Sequence, residues 1–184
     1  MDRIETGRLI LRPFTAGDAE DLYAYAKDSR VGPHAGWPPH RSVEESRLII
    51  QNVFSQPGEF AVQLKENGRV IGSAALKNEH PAGEHPDCPD AEIGYCLNPA
   101  YWGRGYVPEA VEALLRYGFN RRGLRRIWCC HYDGNWRSDR VIHKCGFCYQ
   151  FSRTVFVKLL GETRKDCVFM QTREEWHERV SGAV

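Results

Sequence analysis

The sequence predicts a mixed α/β (α+β) fold in which most strands are antiparallel. One observation is the Asn67-Gly68 pair between two apolar runs, residues 60–65 and 70–77, because Asn-Gly is a strong hairpin signal. The other is an apolar strand, residues 91–97, that runs through a glycine loop into an amphipathic helix and then a further strand at residues 126–131. That succession indicates a parallel crossover beside the antiparallel strands.

The first part of the chain reads as one strand followed by two capped helices. Residues 8–14 alternate enough for a strand, and residues 15–18, Thr-Ala-Gly-Asp, resemble a capping box that opens a helix to about residue 27. Residues 42–45, Ser-Val-Glu-Glu, open a second helix in the same way. Between the helices, residues 31–40 are too rich in proline for regular structure, so we expect a structured loop.

After the hairpin and the crossover strand, helical spacing and cap residues define the remaining elements. Apolar residues recur at helical spacing from residue 107 to residue 120, which predicts a helix. The other elements are a strand at 126–131, a helix at 135–144, strands at 147–157 and 166–171, and a short final helix capped by Thr172. The order is β-α-α-β-β-β-α-β-α-β-β, with about seven strands.

Composition indicates one soluble domain over residues 1–184. The length is 184 residues, with 42% hydrophobic and 27% charged residues and a formal net charge of +1. No run approaches the roughly 20 apolar residues of a membrane helix, and the N-terminus lacks the apolar core of a signal peptide. The seven cysteines are odd in number, so we interpret them as reduced thiols in a cytoplasmic protein.

The loop Gly103-Arg104-Gly105 is suited to an anion. Glycines allow a tight turn that presents backbone N–H groups, and the following helix start adds unsatisfied donors and partial positive charge. The loop fits neither the P-loop pattern nor the dinucleotide fingerprint, whose third glycine would stand where Pro108 is.

A basic stretch coincides with this loop. Residues 101–145 contain nine Lys and Arg against four Asp and Glu. Four arginines, Arg121, Arg122, Arg125 and Arg126, are candidates for a phosphate-rich cofactor. The alternative is that they are solvated cations near a helix end.

These residues resemble the GNAT superfamily of N-acetyltransferases, especially its RimJ/RimL-like branch. The resemblance spans nearly the whole chain and rests on four motifs, which are residues 6–13, residues 91–95, the glycine loop, and residues 135–138 leading to residues 144–147. It implies a GNAT-like sheet in which the strand before the loop and the strand after its helix splay apart. It also implies acetyl-CoA as cosubstrate, a primary amine as acceptor, no metal, and a monomer or homodimer without nucleic-acid or membrane partners.

The resemblance also implies a set of cofactor-binding residues, with the pyrophosphate at the glycine loop. They are Cys96, Leu97, Trp102, Gly103, Arg104, Gly105, Tyr106, Val107, Asn135 and Ser138. Asn135 has a second candidate role, because it stands where it can cap the helix that begins there.

Three residues are implied as catalytic. Glu92 lies in an apolar strand, where desolvation raises the pKa of a carboxylate toward that of a general base. The alternative for Glu92 is a solvated or salt-bridged side chain. The resemblance points to the backbone N–H of Cys96 for the oxyanion, and to Ser138 as the proton donor, because Ile142 stands where many members carry a tyrosine.

The resemblance implies that two parts of the chain wall the acceptor pocket, namely the loop between the first two helices and the final strands. Its candidate lining residues are His34, Trp37, Glu92, Tyr149 and Phe156. Packing in the core is the alternative role for the aromatic residues.

Two groupings of cysteine and histidine are candidate metal sites. Cys145 and Cys148 have C-x-x-C spacing, but a structural zinc site needs two further ligands, and neighbouring Cys129 and Cys130 would point to opposite faces of a strand. A second grouping, His80, His85, Asp87 and Cys88, occupies a proline-rich segment. We expect buried thiols and a polar surface loop, respectively.

Three functional hypotheses stay open at this point. The first is an acetyl-CoA-dependent N-acetyltransferase. The second is a CoA-binding relative without turnover, which Val107 and Ile142 favour. The third is a nucleic-acid binder that uses the basic stretch, which predicts binding that weakens steeply with salt.

Overall fold

The computed structural model describes residues 2–78, 81 and 89–182. These residues form eight strands and five α-helices. The strands are β1 (Ile4–Glu5), β2 (Leu9–Arg12), β3 (Glu59–Leu64), β4 (Val70–Lys77), β5 (Asp90–Leu97), β6 (Arg126–Tyr132), β7 (Cys148–Val157) and β8 (Glu162–Thr172). The helices are α1 (Ala19–Ala26), α2 (Val43–Asn52), α3 (Tyr106–Arg116), α4 (Trp136–Lys144) and α5 (Arg173–Ser181).

The strands form one sheet in the order β1-β2-β3-β4-β5-β6-β8-β7. Among the described strands, β5 and β6 are the parallel pair, and all other neighbours are antiparallel. The crossover through α3 makes β6 parallel to β5, as the strand, loop and helix pattern predicts. The predicted mixed fold is confirmed, with eight strands instead of about seven, because two-residue β1 is too short to show a period-two pattern.

The parallel pairing of β5 with β6 covers four residues and then stops. It runs from Asp90 opposite Arg126 to Ile93 opposite Cys129. Beyond that point β5 stays paired with β4 as far as Leu97, and β6 stays paired with β8 as far as Tyr132. The two strands therefore separate toward their carboxyl ends, and this splay matches the one that the family resemblance implies.

Apolar side chains pack on both faces of the sheet. One cluster joins α3 to β5 and β6 and includes the fully buried Leu114 and Ile127. The other joins α1 and α2 to β3 and β4 and includes Tyr25, Ile50 and Ala61. Because the sheet is covered on both sides, the gap between β5 and β6 connects two separate layers of helices.

The predicted caps hold with small shifts in the element bounds. Ser42 accepts from the backbone N–H of Glu45 at the start of α2, and Thr172 forms a capping box with Glu175 at α5. The predicted helix at 107–120 ends as an α-helix at Arg116 and continues as a π-turn, Tyr117–Arg121. Gly118 packs tightly in that turn, since a Cβ there would lie 2.7 Å from Ile127 Cδ1.

A buried ion pair anchors α1 to the sheet. Arg12 on β2 donates to both carboxylate oxygens of Asp18 at 2.8 Å, and Asp18 also accepts from the backbone N–H of Thr15. Burial by itself raises the pKa of Asp18, but these hydrogen bonds outweigh it and the pKa is lowered. The pair therefore holds the N-terminus of α1, and with it one wall of the functional cleft described below.

We expect Asp18→Asn to lower the free energy of unfolding by about 3 kcal/mol, because it removes the carboxylate that neutralises the partly buried Arg12. A carboxylate whose pKa is lowered on folding stabilises the protein above its unfolded pKa of about 3.9, and that contribution is lost as pH falls through the folded pKa. The wild type should lose stability below about pH 4 more steeply than the variant. Denaturant unfolding at pH 7 and at pH 3 measures both effects.

Asp133→Asn is the control, since Asp133 is exposed and lies 3.9 Å from Lys165. Equal stability of Asp18→Asn and wild type at pH 7 would contradict this interpretation.

Candidate active site

The glycine loop forms a cluster of backbone donors at the start of α3. Gly103 and Gly105 have φ of 76° and 77°, a left-handed conformation that disfavours other residues. Within the part of the chain that the structure describes, the N–H groups of residues 103–107 have no acceptor in the protein. A run of free donors at a helix N-terminus is the arrangement that binds phosphate.

Trp102 connects this loop to the splayed end of β5. Its indole N–H donates to the carbonyl oxygen of Leu97 at 2.9 Å. The guanidinium of Arg137 lies 4.4 Å from the ring centroid, and that of Arg30 lies 5.6 Å away. Trp102 thus brings two arginines from distant segments to the side of the donor cluster.

A cleft of about 950 Å³ passes through the gap between β5 and β6. It is lined on one side by the glycine loop and α4, and on the other by the loop after α1 and by β7. The predicted site residues that line it are His34, Trp37, Glu92, Cys96, Leu97, Trp102, Gly103, Gly105, Tyr106, Val107, Asn135, Ser138 and Phe156. The structure therefore brings most of the predicted site together in one continuous space.

Two predicted residues lie outside the cleft. Arg104 is not among the lining residues, and its guanidinium lies 5.6 Å from the ring of Tyr101. Tyr149 is exposed and borders a separate hollow formed with His131, Asp139 and Phe169. Tyr149 therefore does not wall the acceptor pocket, because β7 turns its side chain to the other face of the sheet.

The arginines predicted to bind the cofactor phosphates are not the ones that line the cleft, and this prediction is corrected. Arg126 starts β6 and pairs with Asp90 at the start of β5, and Arg122 donates to the carbonyl oxygen of Leu76. Since β5 and β6 are parallel, these residues lie at the sheet edge opposite the glycine loop. The basic residues that line the cleft instead are Arg30, Arg137, Arg140, Lys144 and Arg153.

The backbone of Cys96 does not offer its N–H to the gap. The N–H of Asn98 donates to the carbonyl of Ile71 on β4, and the register places Cys96 opposite Ser73. Backbone direction alternates along a strand, so Cys96 and Ser73 form the next hydrogen-bonded pair of that ladder. The predicted role of Cys96 is therefore corrected, and the N–H groups that face the gap belong to Tyr95 and Leu97.

Glu92 lies on the α1 and α2 face of the sheet among other charged groups. Its strand neighbours are Lys77 on β4 and Trp128 on β6. Lys77 pairs with Glu59 at 2.9 Å on one side, and Arg153 pairs with Asp166 at 3.0 Å on the other. Burial raises the pKa of Asp166 despite its arginine partner.

The thiols of the cleft are held in the protonated form. Burial raises the pKa of Cys96, and it also raises the pKa of Cys130, to which the nearby Glu92 adds. A protonated thiol is a poor nucleophile. Both cysteines therefore act as small side chains that shape the cleft.

Tyr95 is a candidate functional residue that sequence reasoning missed. Its hydroxyl lies 2.8 Å from Ser138 Oγ and 3.3 Å from the carbonyl of Ser138. Burial raises the pKa of Tyr95 well above its usual value, so the phenol stays protonated. The contact joins residues 43 positions apart, and no local pattern in the sequence signals it.

Asn135 and Ser138 occupy the first turn of α4, beside the gap. The side-chain oxygen of Asn135 accepts from the N–H of Ser138 at 3.3 Å, so the capping role is present. Ile142 is fully buried in the core and faces away from the cleft. Ile142 itself therefore offers no proton to the cleft.

Among the described residues, no group of three or more His, Cys, Asp or Glu side chains is placed to hold a metal ion. Cys145 is buried and Cys148 is exposed, so the C-x-x-C pair does not converge. The second grouping, His80, His85, Asp87 and Cys88, lies outside the described residues. No helix in the described ranges has the length and apolar character needed to span a membrane.

Comparison with known structures agrees with this fold. A GNAT-family acetyltransferase from Bacillus anthracis superposes with a TM-score of 0.81 at 24% identity, covering 94% of this chain and 99% of that one. A GCN5-related N-acetyltransferase from Brucella melitensis gives a TM-score of 0.83 at 23% identity, with 96% and 80% covered.

Sequence comparison leads to the same family. Residues 8–148 match the family described as the acetyltransferase (GNAT) domain. The uncharacterized N-acetyltransferase YoaA of Bacillus subtilis is 30% identical over 152 residues, which cover 78% of this chain and 81% of YoaA. The ribosomal protein uS5-alanine N-acetyltransferase of Escherichia coli is 24% identical over 186 positions, covering 95% and 92%. The chain therefore belongs to the GNAT family of acetyltransferases, as its motifs and its splayed sheet indicate.

Proposed function

We propose that this acetyltransferase moves an acetyl group from acetyl-CoA directly to a primary amine while both are bound. The observation that carries the proposal is the continuous cleft through the splayed strands. It joins the donor cluster of the glycine loop on one face of the sheet to Glu92 on the other. An acyl donor and an amine can therefore meet in the gap from opposite sides.

The residues of the cleft fit acetyl-CoA, which supplies an activated acyl thioester. The free N–H groups of residues 103–107 suit its pyrophosphate, and Arg30 and Arg137 add positive charge beside them. Val107 lines the cleft beside these donors, and its side chain packs partly against the core cluster of α3. The N–H groups of Tyr95 and Leu97 face the place where a carbonyl oxygen gains charge during transfer, and one such donor contributes about 3 kcal/mol.

Glu92 is the candidate general base. It lies on the acceptor side of the gap, where it can take a proton from the amine as the new bond forms. On β5, Glu92 stands opposite Trp128, one residue before the parallel pairing with β6 ends, and it lines the cleft there. Because Cys96 and Cys130 are protonated, direct transfer is favoured over a route through an acetylated cysteine.

Ser138 is the candidate donor to the leaving thiolate. The Tyr95 hydroxyl can donate to Ser138 Oγ and so leave the serine proton free to point into the cleft. A tyrosine with a raised pKa holds this hydrogen bond at any physiological pH. Tyr95 is thus a positioning residue for Ser138.

The acceptor side combines apolar walls with Glu92. Trp37, the exposed Phe156 and His34 line the same cleft as this carboxylate. Such a surface suits a cationic amine attached to an apolar group. We propose a protein N-terminal α-amine, the acceptor class that the name of the uS5-alanine N-acetyltransferase indicates for that relative, or a small-molecule amine of the same character.

The alternative is a GNAT relative that binds CoA without turnover. It predicts acetyl-CoA binding with no CoA release for any amine. The nucleic-acid binder stays the third hypothesis. Within the basic stretch, Arg126 pairs with Asp90, whereas Arg137, Arg140 and Lys144 line the cleft, where they also suit the phosphates of CoA. One domain over residues 1–184, a cytoplasmic location and a monomer or homodimer stay predictions.

Acetyl-CoA should stabilise the protein, whereas NAD and ATP should not. At about 100 times Kd, a ligand adds roughly 2.7 kcal/mol and raises Tm by several degrees. Thermal unfolding with each compound measures this, and release of CoA in the presence of peptides with free N-termini then tests turnover. No shift up to millimolar acetyl-CoA would overturn the proposal, and a shift without CoA release would favour the alternative.

We expect Glu92→Gln to lower kcat about a hundredfold or more while the affinity for acetyl-CoA is unchanged, because the amine loses its proton acceptor. Steady-state kinetics together with calorimetric titration of acetyl-CoA separates the two quantities. Glu66→Gln, on the exposed hairpin turn, is the matched control. A kcat near that of wild type would remove Glu92 from the role of base.

Ser138→Ala should lower kcat by about a hundredfold, and Tyr95→Phe by about tenfold, with little further loss in the double variant, since Tyr95 acts through Ser138. Tyr149→Phe is the matched control, because Tyr149 makes a similar contact with Ser152 at 3.0 Å outside the cleft. Fully additive losses in Ser138→Ala and Tyr95→Phe would show that the two hydroxyls act independently.

A further inference from the structure

We propose that Arg8, behind the glycine loop, is a positioning residue that sets this loop for the pyrophosphate of the cofactor. The inference rests on the proposed function and extends it to a residue outside the cleft. Arg8 lies in the turn between β1 and β2, about a hundred positions before the loop in the sequence, and touches it through three contacts. Their geometry assigns Arg8 a role that its place in the sequence does not show.

The first contact orients a peptide group. Arg8 Nη1 donates to the carbonyl oxygen of Arg104 at 3.0 Å, and neither Arg8 nor Arg104 is among the residues that line the cleft. In a planar trans peptide the C=O and the next N–H point in opposite directions. Holding the Arg104 carbonyl behind the loop therefore turns the N–H of Gly105 toward the cleft, which Gly105 lines.

The second contact neutralises a carboxylate beside the anion site. Glu109, in the first turn of α3, accepts from Arg8 Nε at 2.6 Å, from the Arg8 backbone N–H at 2.8 Å and from the Thr6 hydroxyl at 2.5 Å. Burial by itself raises the pKa of Glu109, but these hydrogen bonds outweigh it and the pKa is lowered. Glu109 is thus an anion in the same helical turn that would receive the pyrophosphate, and Arg8 balances its charge.

The third contact fixes the guanidinium itself. It stacks on the ring of Tyr106, the first residue of α3, at 4.4 Å from the centroid. Arg8 Nη2 also lies 3.6 Å from where a Cβ on Gly105 would stand, so the guanidinium packs directly behind that glycine. A planar group with several fixed donors can make all three contacts at once, which a lysine cannot.

The test compares Arg8→Met and Arg8→Lys with wild type, and Arg3→Met is the matched control. Arg3 pairs with Glu5 on β1 and is 58% exposed, with no contact to the loop. Two donors are used, acetyl-CoA and S-acetylpantetheine, because the latter lacks the pyrophosphate. Calorimetric Kd for acetyl-CoA and kcat/KM for both donors are the readouts, and thermal unfolding reports on folding.

We expect Kd for acetyl-CoA to rise about tenfold in Arg8→Met and about threefold in Arg8→Lys, with kcat at saturation unchanged. The value of kcat/KM for S-acetylpantetheine should stay at the wild-type level in both variants. Wild-type affinity for acetyl-CoA in Arg8→Met, or an equal loss with both donors, would overturn the role of Arg8. Failure of the wild type to bind acetyl-CoA would overturn the proposed function as well, so the two failures are distinguishable.

Discussion

The separation of β5 from β6 is the constraint on which the rest of the site depends. Four residues of parallel pairing hold the strands together, and then each follows its antiparallel partner, β4 or β8, away from the other. The backbone N–H groups of Tyr95 and Leu97 lose a possible partner in β6, and a passage opens through the sheet. A closed ladder at this point would satisfy those donors and divide the cleft into two unconnected hollows.

Because the passage connects two faces, the fold can keep opposite kinds of chemistry apart. The α3 and α4 face offers backbone donors and arginines, which suit an anionic cofactor. The α1 and α2 face holds Glu92, the candidate base for the amine, beside the ion pairs Glu59–Lys77 and Asp166–Arg153. The thiols between them are kept neutral by burial. The donor cluster and the candidate base therefore lie on opposite faces of the sheet, and the gap joins them.

Contacts from remote segments set the geometry of this machinery. Arg8 on the first hairpin holds the glycine loop from behind, and Trp102 bonds the end of β5 while Arg30 and Arg137 stack on it. Tyr95 holds Ser138 across the gap. Ordinary surface arginines and a strand tyrosine thereby become supports of the site, because rigid positioning of donors is what makes them effective.

The sequence alone determined the elements and the loop chemistry, because these depend on local rules. Capping residues, the Asn67-Gly68 turn and two glycines before an amphipathic helix mark structure within a few residues, and the family motifs added the splay and Glu92. Tertiary structure alone decided which of several similar residues serve the site. In the sequence, the four arginines between residues 121 and 126 look as suitable for binding phosphate as Arg30 and Arg137. The crossover places them at the opposite edge of the sheet from the glycine loop. The backbone direction at Cys96 and the partner of Ser138 likewise follow from register and from contacts between distant segments, since strand pairing and helix packing, not spacing along the chain, set where each group points.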